Sequence, residues 1–330
     1  MNHNKQSLTL DELFRLWASE HRNYVRSSTF RCYVSIYKKH LLEAFGDRVS
    51  ISADDVETFA RRKVVDEGLS RKTTKDILTL LGMIVKFGEE KGYGWSYVPD
   101  RFRFPSSLNA DVASRQPLVS SFTCEEQKRI TRYVLGNFTC ANLGILVCLY
   151  TGMRIGEICA LRWKDIDIDR RMIRVSRTLG RMGGVGEDFR LKKTQIVEST
   201  PKTDCSVREI PLVGSLFDLI QPLYEESVLD NYLISNSSRP IEPRRYQAYY
   251  SDFLRRVGVR HLKFHCLRHT FATRCIESGC DIKTTSALLG HSSITITLDT
   301  YVHPSLENKR KSIVKMSRFV GFPRKSSRLQ

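Results

Sequence analysis

Between Pro99 and Ser121 the chain carries three prolines, Pro99, Pro105 and Pro117, among serine, asparagine and aspartate residues, with no sustained hydrophobic period. Proline fixes φ, removes a backbone donor and biases the preceding residue away from the helical region, so a regular element cannot run through this stretch. The 330 residues are thereby divided into two bodies, each long enough to bury its own core. The pattern assigns residues 1–105 to a first domain, 106–120 to a linker, 121–306 to a second domain and 307–330 to a tail.

Four helical patterns fill the first domain. "LTLDELFRLWASEHR" sets Leu10, Leu13, Phe14 and Trp17 on one face, with Thr9 placed to cap it. "SSTFRCYVSIYKKHLLEAFG" repeats the theme with Phe30, Tyr33, Tyr37 and Leu41 and stops at Gly46. "SADDVETFARRKVVDEG" opens on Ser52 and acidic residues that suit a helix N-terminus, and "SRKTTKDILTLLGMIVKFGEEKGYG" runs on to glycines. Arg61, Arg62, Lys63, Arg71, Lys72 and Lys75 lie between these apolar positions. They suit a face that meets phosphates, and they suit a solvated helical face equally well.

The second domain begins at "TCEEQKRITRYVLG", where Thr123 and Glu126 have the spacing of a capping box. "ANLGILVCLYTG" is apolar nearly all round and predicts a buried helix. Strand signals cluster in "RMIRVSRTL", "FRLKKTQIVEST" and "VREIPLV", and helical patterns return after Gly214. The expected class is mainly α with one small antiparallel β-sheet (α+β).

Charge narrows the partner. The chain carries 53 Lys and Arg against 36 Asp and Glu, a formal net charge of +17. Of this, +13 falls after residue 105, and eight basic residues follow Glu307 with no acidic one. Such an excess repels itself unless a polyanion neutralises it, which points to nucleic acid. The nine cysteines form no C-x-x-C pair, so they read as small hydrophobes in a reducing compartment, with no zinc site. No apolar run reaches membrane length and the N-terminus has no secretory pattern, so the expected location is the cytoplasm, away from any membrane.

Three strings carry chemistry: "YTGMRIGEICALRWKDID" with Arg154, "HCLRHTFATRC" with His265 and Arg268, and "LLGHSSITITLDTYVH" with His291 ten residues before Tyr301. Cutting DNA through a phenol needs this inventory. The phosphodiester is anionic and attack adds charge to its equatorial oxygens, which guanidinium groups can clamp in pairs. A phenol with a pKa of about 10 must lose its proton as it attacks, and the departing 5′ oxygen needs a proton donor.

In these motifs, their order and their gaps, the chain resembles the tyrosine recombinases, also called the phage integrase family. The resemblance covers the whole second domain as the catalytic domain, and the four-helix first domain is similar to the family's core-binding (SAM-like) module. It implies a catalytic set of Arg154, Lys202, His265, Arg268, His291 and Tyr301, with Glu157 buttressing Arg154 from the same helix face. Arg154 and Arg268 would clamp the phosphate, His265 would donate a hydrogen bond or accept a proton, and His291, at a helix start, would touch a non-bridging oxygen. Tyr301 would form a 3′-phosphotyrosyl bond. Lys202, in the strand turn "TPKTDCSVREIPL", would protonate the leaving oxygen. His269 reads as structural.

The resemblance further implies no cofactor, since the phosphotyrosyl bond stores the energy for rejoining without ATP or metal. It implies a homotetramer on two double-stranded DNA sites with short core sequences, with an accessory DNA-bending or excision factor as a further partner. The tail, with Ile313, Val314, Met316, Phe319 and Val320, would dock on a neighbouring subunit or contact DNA. Set against the family, no arm-type DNA-binding domain is expected before the first helices, and the stretch "GRMGGVGEDFRLKKTQIVEST" is expected to be an insert in the sheet region that compact chromosome-dimer resolvases lack. Both point to a mobile-element integrase or a DNA invertase. Gly183, Gly184 and Gly186 in that insert read as a hairpin tip that meets DNA or a partner subunit. The rival readings are a type IB topoisomerase-like enzyme, disfavoured by the preceding helical module, and a non-catalytic DNA-binding regulator, disfavoured by the complete arginine, histidine and tyrosine set.

Overall fold

A computed structural model describes residues 8–95, 120–200, 206–301 and 306–321, with the backbone alone for 306–309, 311 and 312. The linker expected over 106–120 lies outside the described residues apart from Ser120. Two compact units form: Met1–Gln116 with Arg181–Ile196, and Pro117–Gly180 with Val197–Gln330.

In the first unit, α1 (Leu10–His21) starts at a capping box in which Thr9 and Glu12 answer each other's backbone N–H. Helix α2 (Ser27–Ile36) passes through one π turn, Tyr37–Leu41, into α3 (Leu42–Phe45). At that turn Tyr37 stacks on Phe14 with ring centroids 3.6 Å apart. Helix α4 (Ala53–Val65) opens on a second capping box, Ser52 with Asp55, and α5 (Arg71–Glu90) brings Ile77, Leu81 and Ile84 to the same core.

The segment Arg181–Ile196 belongs to this unit although it lies far along the chain. Val185 and Phe189 are buried with Phe14 and Phe30. Arg31 donates to the carbonyls of Gly184 and Lys192, both at 2.9 Å, and Arg22 donates to that of Val185 at 2.8 Å. The glycine-rich stretch of the insert is therefore held by side chains of the helical unit. Phe189 adopts φ 59°, the left-handed region that costs a bulky residue, and its ring sits 5.8 Å from Phe14. Burying that ring offsets the strain.

The second unit is built on α6 (Cys124–Gly136) and α7 (Cys140–Thr151), the latter buried on nearly every face. The short helix α8 (Ile155–Ala160) leads into β1 (Ile166–Asp167) and β2 (Met172–Val175). These join β5 (Arg208–Pro211) in an antiparallel sheet of order β1-β2-β5, with Ile173 opposite Ile210 and Val175 opposite Arg208. β3 (Thr178–Met182) and β4 (Gln195–Ser199) pair separately. Two small sheets thus replace the single one expected, because the strands flanking the insert pair with each other instead of extending β2 and β5. Helices α9 (Gly214–Glu225), α10 (Pro243–Val257), α11 (His265–Glu277), α12 (Ile282–Leu289), α13 (Ile294–Tyr301) and α14 (Leu306–Phe319) complete the described chain. Among the described residues no helix is long and apolar enough to cross a membrane.

Candidate active site

Gly152 ends α7 in the left-handed conformation, φ 68°, and turns the chain so that Arg154 becomes the N-cap of α8. Glu157 is the third residue of that helix. One of its oxygens accepts from the Arg154 backbone N–H at 2.9 Å and the other from Arg154 Nη1 at 2.8 Å. The two residues do not share a helix face as their spacing suggested. Arg154 has extended backbone, and Glu157 reaches back because an unpaired N–H at a helix start draws a carboxylate.

A residue the sequence reading passed over completes this pair. Arg208, on β5, places Nη2 2.9 Å from Glu157 and is buried with it. Burial would raise the Glu157 carboxyl, but the hydrogen bonds and charges of Arg208 and Arg154 hold it below the usual range. The signal was present in "VREIPL": Arg208 falls in phase with buried Ile210, where a strand with one wet face would carry an apolar side chain.

The C-terminus of α12 meets the same arginines. Its last carbonyls lack helical partners. That of Leu288 accepts from Arg208 Nε at 2.6 Å and that of Gly290 from Arg154 Nη2 at 3.1 Å. His291 follows directly, between α12 and α13, with Nδ1 2.8 Å from the Thr297 hydroxyl. The expected helix start is thus a helix end, whose partial negative charge draws guanidinium groups instead of an anion. Burial, then Arg268 and Arg154, push the His291 imidazole down to about 4, so it is neutral at physiological pH.

Helix α11 begins at His265 and presents Arg268 one turn on. Arg268 is 2% exposed, and its Nη1 donates to the Gly152 carbonyl at 2.9 Å. Its Nη2 is buried without a hydrogen-bond partner among the described residues. Burial and the neighbouring Arg154 charge lower Arg268 to about 9, which leaves it cationic at neutral pH. His265 is likewise lowered, first by burial and then by Arg268 and Arg154.

Tyr301 closes the cluster from the last residue of α13, 9% exposed, with its hydroxyl 2.6 Å from His269 Nδ1. Burial raises the phenol to about 12 against the opposing pull of Arg268 and Arg154. His269 therefore stands in contact with the side chain expected to react. Lys202 lies outside the described residues.

Of the basic residues singled out in the first domain, Arg61, Arg62, Lys72 and Lys75 are exposed and Arg71 is half-buried. Lys63 is not available to a phosphate: it is 6% exposed, ion-paired with Glu67 at 2.6 Å and packed over the Phe59 ring.

Residues 123–308 match the phage integrase family, and residues 9–48 match the N-terminal SAM-like domain of phage integrases. The chain is 27% identical to a XerC-like tyrosine recombinase of Caldanaerobacter subterraneus subsp. tengcongensis over 95% of this chain and 84% of that protein. It is 23% identical to the ICEBs1 integrase of Bacillus subtilis over 94% of this chain and 88% of that protein. A structure of the Tn1549 transposon integrase in complex with transposon right-end DNA shares the fold, with a TM-score of 0.71 at 23% identity over 94% of this chain and all of that one. Because the family match spans more than half of the chain and takes in every member of the arginine, histidine and tyrosine cluster, the chain belongs to the phage integrase family and is a tyrosine recombinase, which cleaves and rejoins DNA.

Proposed function

We propose that the cluster cuts one DNA strand by attack of Tyr301 on a phosphodiester clamped by Arg154 and Arg268, leaving a 3′-phosphotyrosyl bond and a free 5′-hydroxyl. The observation that carries this reading is Arg268 Nη2, a buried guanidinium nitrogen with no partner among the described residues. A buried donor left unsatisfied costs about 1–3 kcal/mol, more when charged, and an equatorial phosphate oxygen would relieve that cost as negative charge builds. His291, fixed through Nδ1 by Thr297, keeps Nε2 for a non-bridging oxygen. Lys202 is the proposed donor to the leaving 5′ oxygen.

The substrate proposed is double-stranded DNA with a short core site, joined by a homotetramer in the cytoplasm. The relatives named for the mobile elements ICEBs1 and Tn1549 support an integrase of a mobile element, assisted by a DNA-bending or excision factor. Ile313, Val314, Met316, Phe319 and Val320 are exposed, Phe319 by 90%, and would dock the tail on a neighbouring subunit.

The test begins by selecting a binding site from a random-sequence duplex pool with the Tyr301→Phe protein. Nicked duplexes carrying that site then trap cleavage on a denaturing gel. Wild type is expected to give a covalent band and Tyr301→Phe none, at equal DNA affinity. Arg268→Ala is expected to lose at least about a hundredfold in cleavage with affinity little changed. An adduct formed by Tyr301→Phe, or unimpaired cleavage by Arg268→Ala, refutes the assignment.

A further inference from the structure

Tyr301 and His269 face each other from different helices, α13 and α11, at 2.6 Å between the phenolic oxygen and Nδ1. The ring centroids lie 5.5 Å apart. In the tautomer with its hydrogen on Nε2, the neutral His269 ring accepts the phenolic hydrogen at Nδ1. His265 meets His269 edge-on with centroids 4.5 Å apart, and no hydrogen bond joins His265 to Tyr301 among the described residues.

We propose that His269 is the catalytic base that receives the Tyr301 proton as the phenol attacks. This rests on the reading of Tyr301 as nucleophile. In cleavage the Oη–P bond forms and the P–O5′ bond breaks. The phenolic proton passes to Nδ1 and leaves an imidazolium, while the departing oxygen takes its proton from the general acid. In rejoining, the general acid, deprotonated by the first step, takes the proton of the 5′-hydroxyl as its oxygen bonds to phosphorus, the Oη–P bond breaks and the imidazolium returns its proton to Tyr301. No oxidant or further reactant enters.

The surroundings fit this cycle. With the phenol at about 12, only about one molecule in 10⁵ is ionised at pH 7, so attack needs a group already in contact with the proton. Burial, then His265 and Arg268, lower His269 to about 4 and keep it neutral and able to accept. A phosphodiester in the clamp would offset the Arg268 charge and make His269 a stronger base as substrate arrives. The titratable and charged groups facing it are His265 and Arg268 from its own helix and Tyr301 from α13.

The discriminating variant is His269→Asn, whose side-chain oxygen can accept the phenolic hydrogen bond but cannot hold the proton. Wild type, His269→Asn and Tyr301→Phe are compared in single-turnover cleavage of the selected nicked duplex across pH, after thermal melting and DNA binding establish that each is folded. The expected result is cleavage slower by at least about 10²-fold in His269→Asn near neutral pH, with the wild-type rate level there and the variant's rate rising with pH as the phenol ionises unaided. A rate within about threefold of wild type, a faster rate, or an unchanged pH profile overturns the assignment. No adduct from wild type itself refutes the reading of the site and this inference with it, whereas an adduct in wild type with an undiminished His269→Asn refutes the inference alone.

Discussion

Glu157 is 3% exposed and answers the guanidinium groups of both Arg154 and Arg208. Removing one partner of a buried pair leaves the other charge uncompensated, so Glu157→Gln is expected to cost about 3–5 kcal/mol of stability at pH 7. The sign of the pH effect follows from its lowered pKa. A carboxyl held below its unfolded value contributes stability that is fully present above about pH 4.3 and is lost as pH falls through the folded value. Urea unfolding between pH 7 and pH 3 should therefore show the gap between wild type and Glu157→Gln closing only in acid. A gap that stays constant across that range would contradict the buttress role. The motif "RIGE" displays Arg154 and Glu157 together, yet Arg208 lies 51 residues beyond Glu157, and its phase in the strand marks it as buried without naming its partner. Likewise, "HCLRHT" holds His265 and His269 one helical turn apart, and only the arrival of α13 shows that His269 is the one whose ring touches Tyr301.

At the scale of elements, the site is assembled from helix ends. Gly152 caps α7, Arg154 caps α8, Gly290 caps α12, and the carbonyls exposed there hold the arginines in place. Gly152 is the most demanding of these positions. With φ 68°, an added Cβ would also lie 2.6 Å from Phe271 and 2.8 Å from Leu289. Gly152→Ala is thus expected to destabilise by more than about 1 kcal/mol. It should also slow cleavage, because the carbonyl that orients Arg268 moves with it. Thermal melting and suicide-substrate cleavage on the same protein measure both, and loss of neither would show that this turn tolerates a side chain. The caps at Thr9, Ser52 and Thr123 were legible because a capping box is a local signal four residues long. The strand pairing was not, since β2 reaches β5 across the intervening β3 and β4.

For the whole molecule, the formal charge of +17 makes DNA affinity strongly dependent on salt. Each phosphate contact contributes about −0.9 to the slope of log K against log salt on duplex DNA. Replacing exposed Arg61 or Lys72 by Gln should flatten that slope by about this amount if the residue meets a phosphate. Lys63→Gln should leave it unchanged, because its ammonium is already neutralised by Glu67. Equal flattening by Lys63→Gln would mean that the Glu67 pair opens on DNA. The insert shows the same limit on composition: its glycines suggested a hairpin tip that meets DNA or a partner subunit, and nothing in them announced that Val185 and Phe189 are buried in the core of the helical unit.

By itself the sequence determined the helical and strand periods, the caps and the order of the reactive motifs, because each is read from residues within a few positions of one another. Tertiary structure alone decided which arginine shares Glu157, which histidine touches Tyr301, that Lys63 is spent on Glu67 and that residues 181–196 join the first unit. Those outcomes depend on contacts between segments far apart in the chain. Burial and the charge of the facing side chain decide them, and neither exists until the elements have packed.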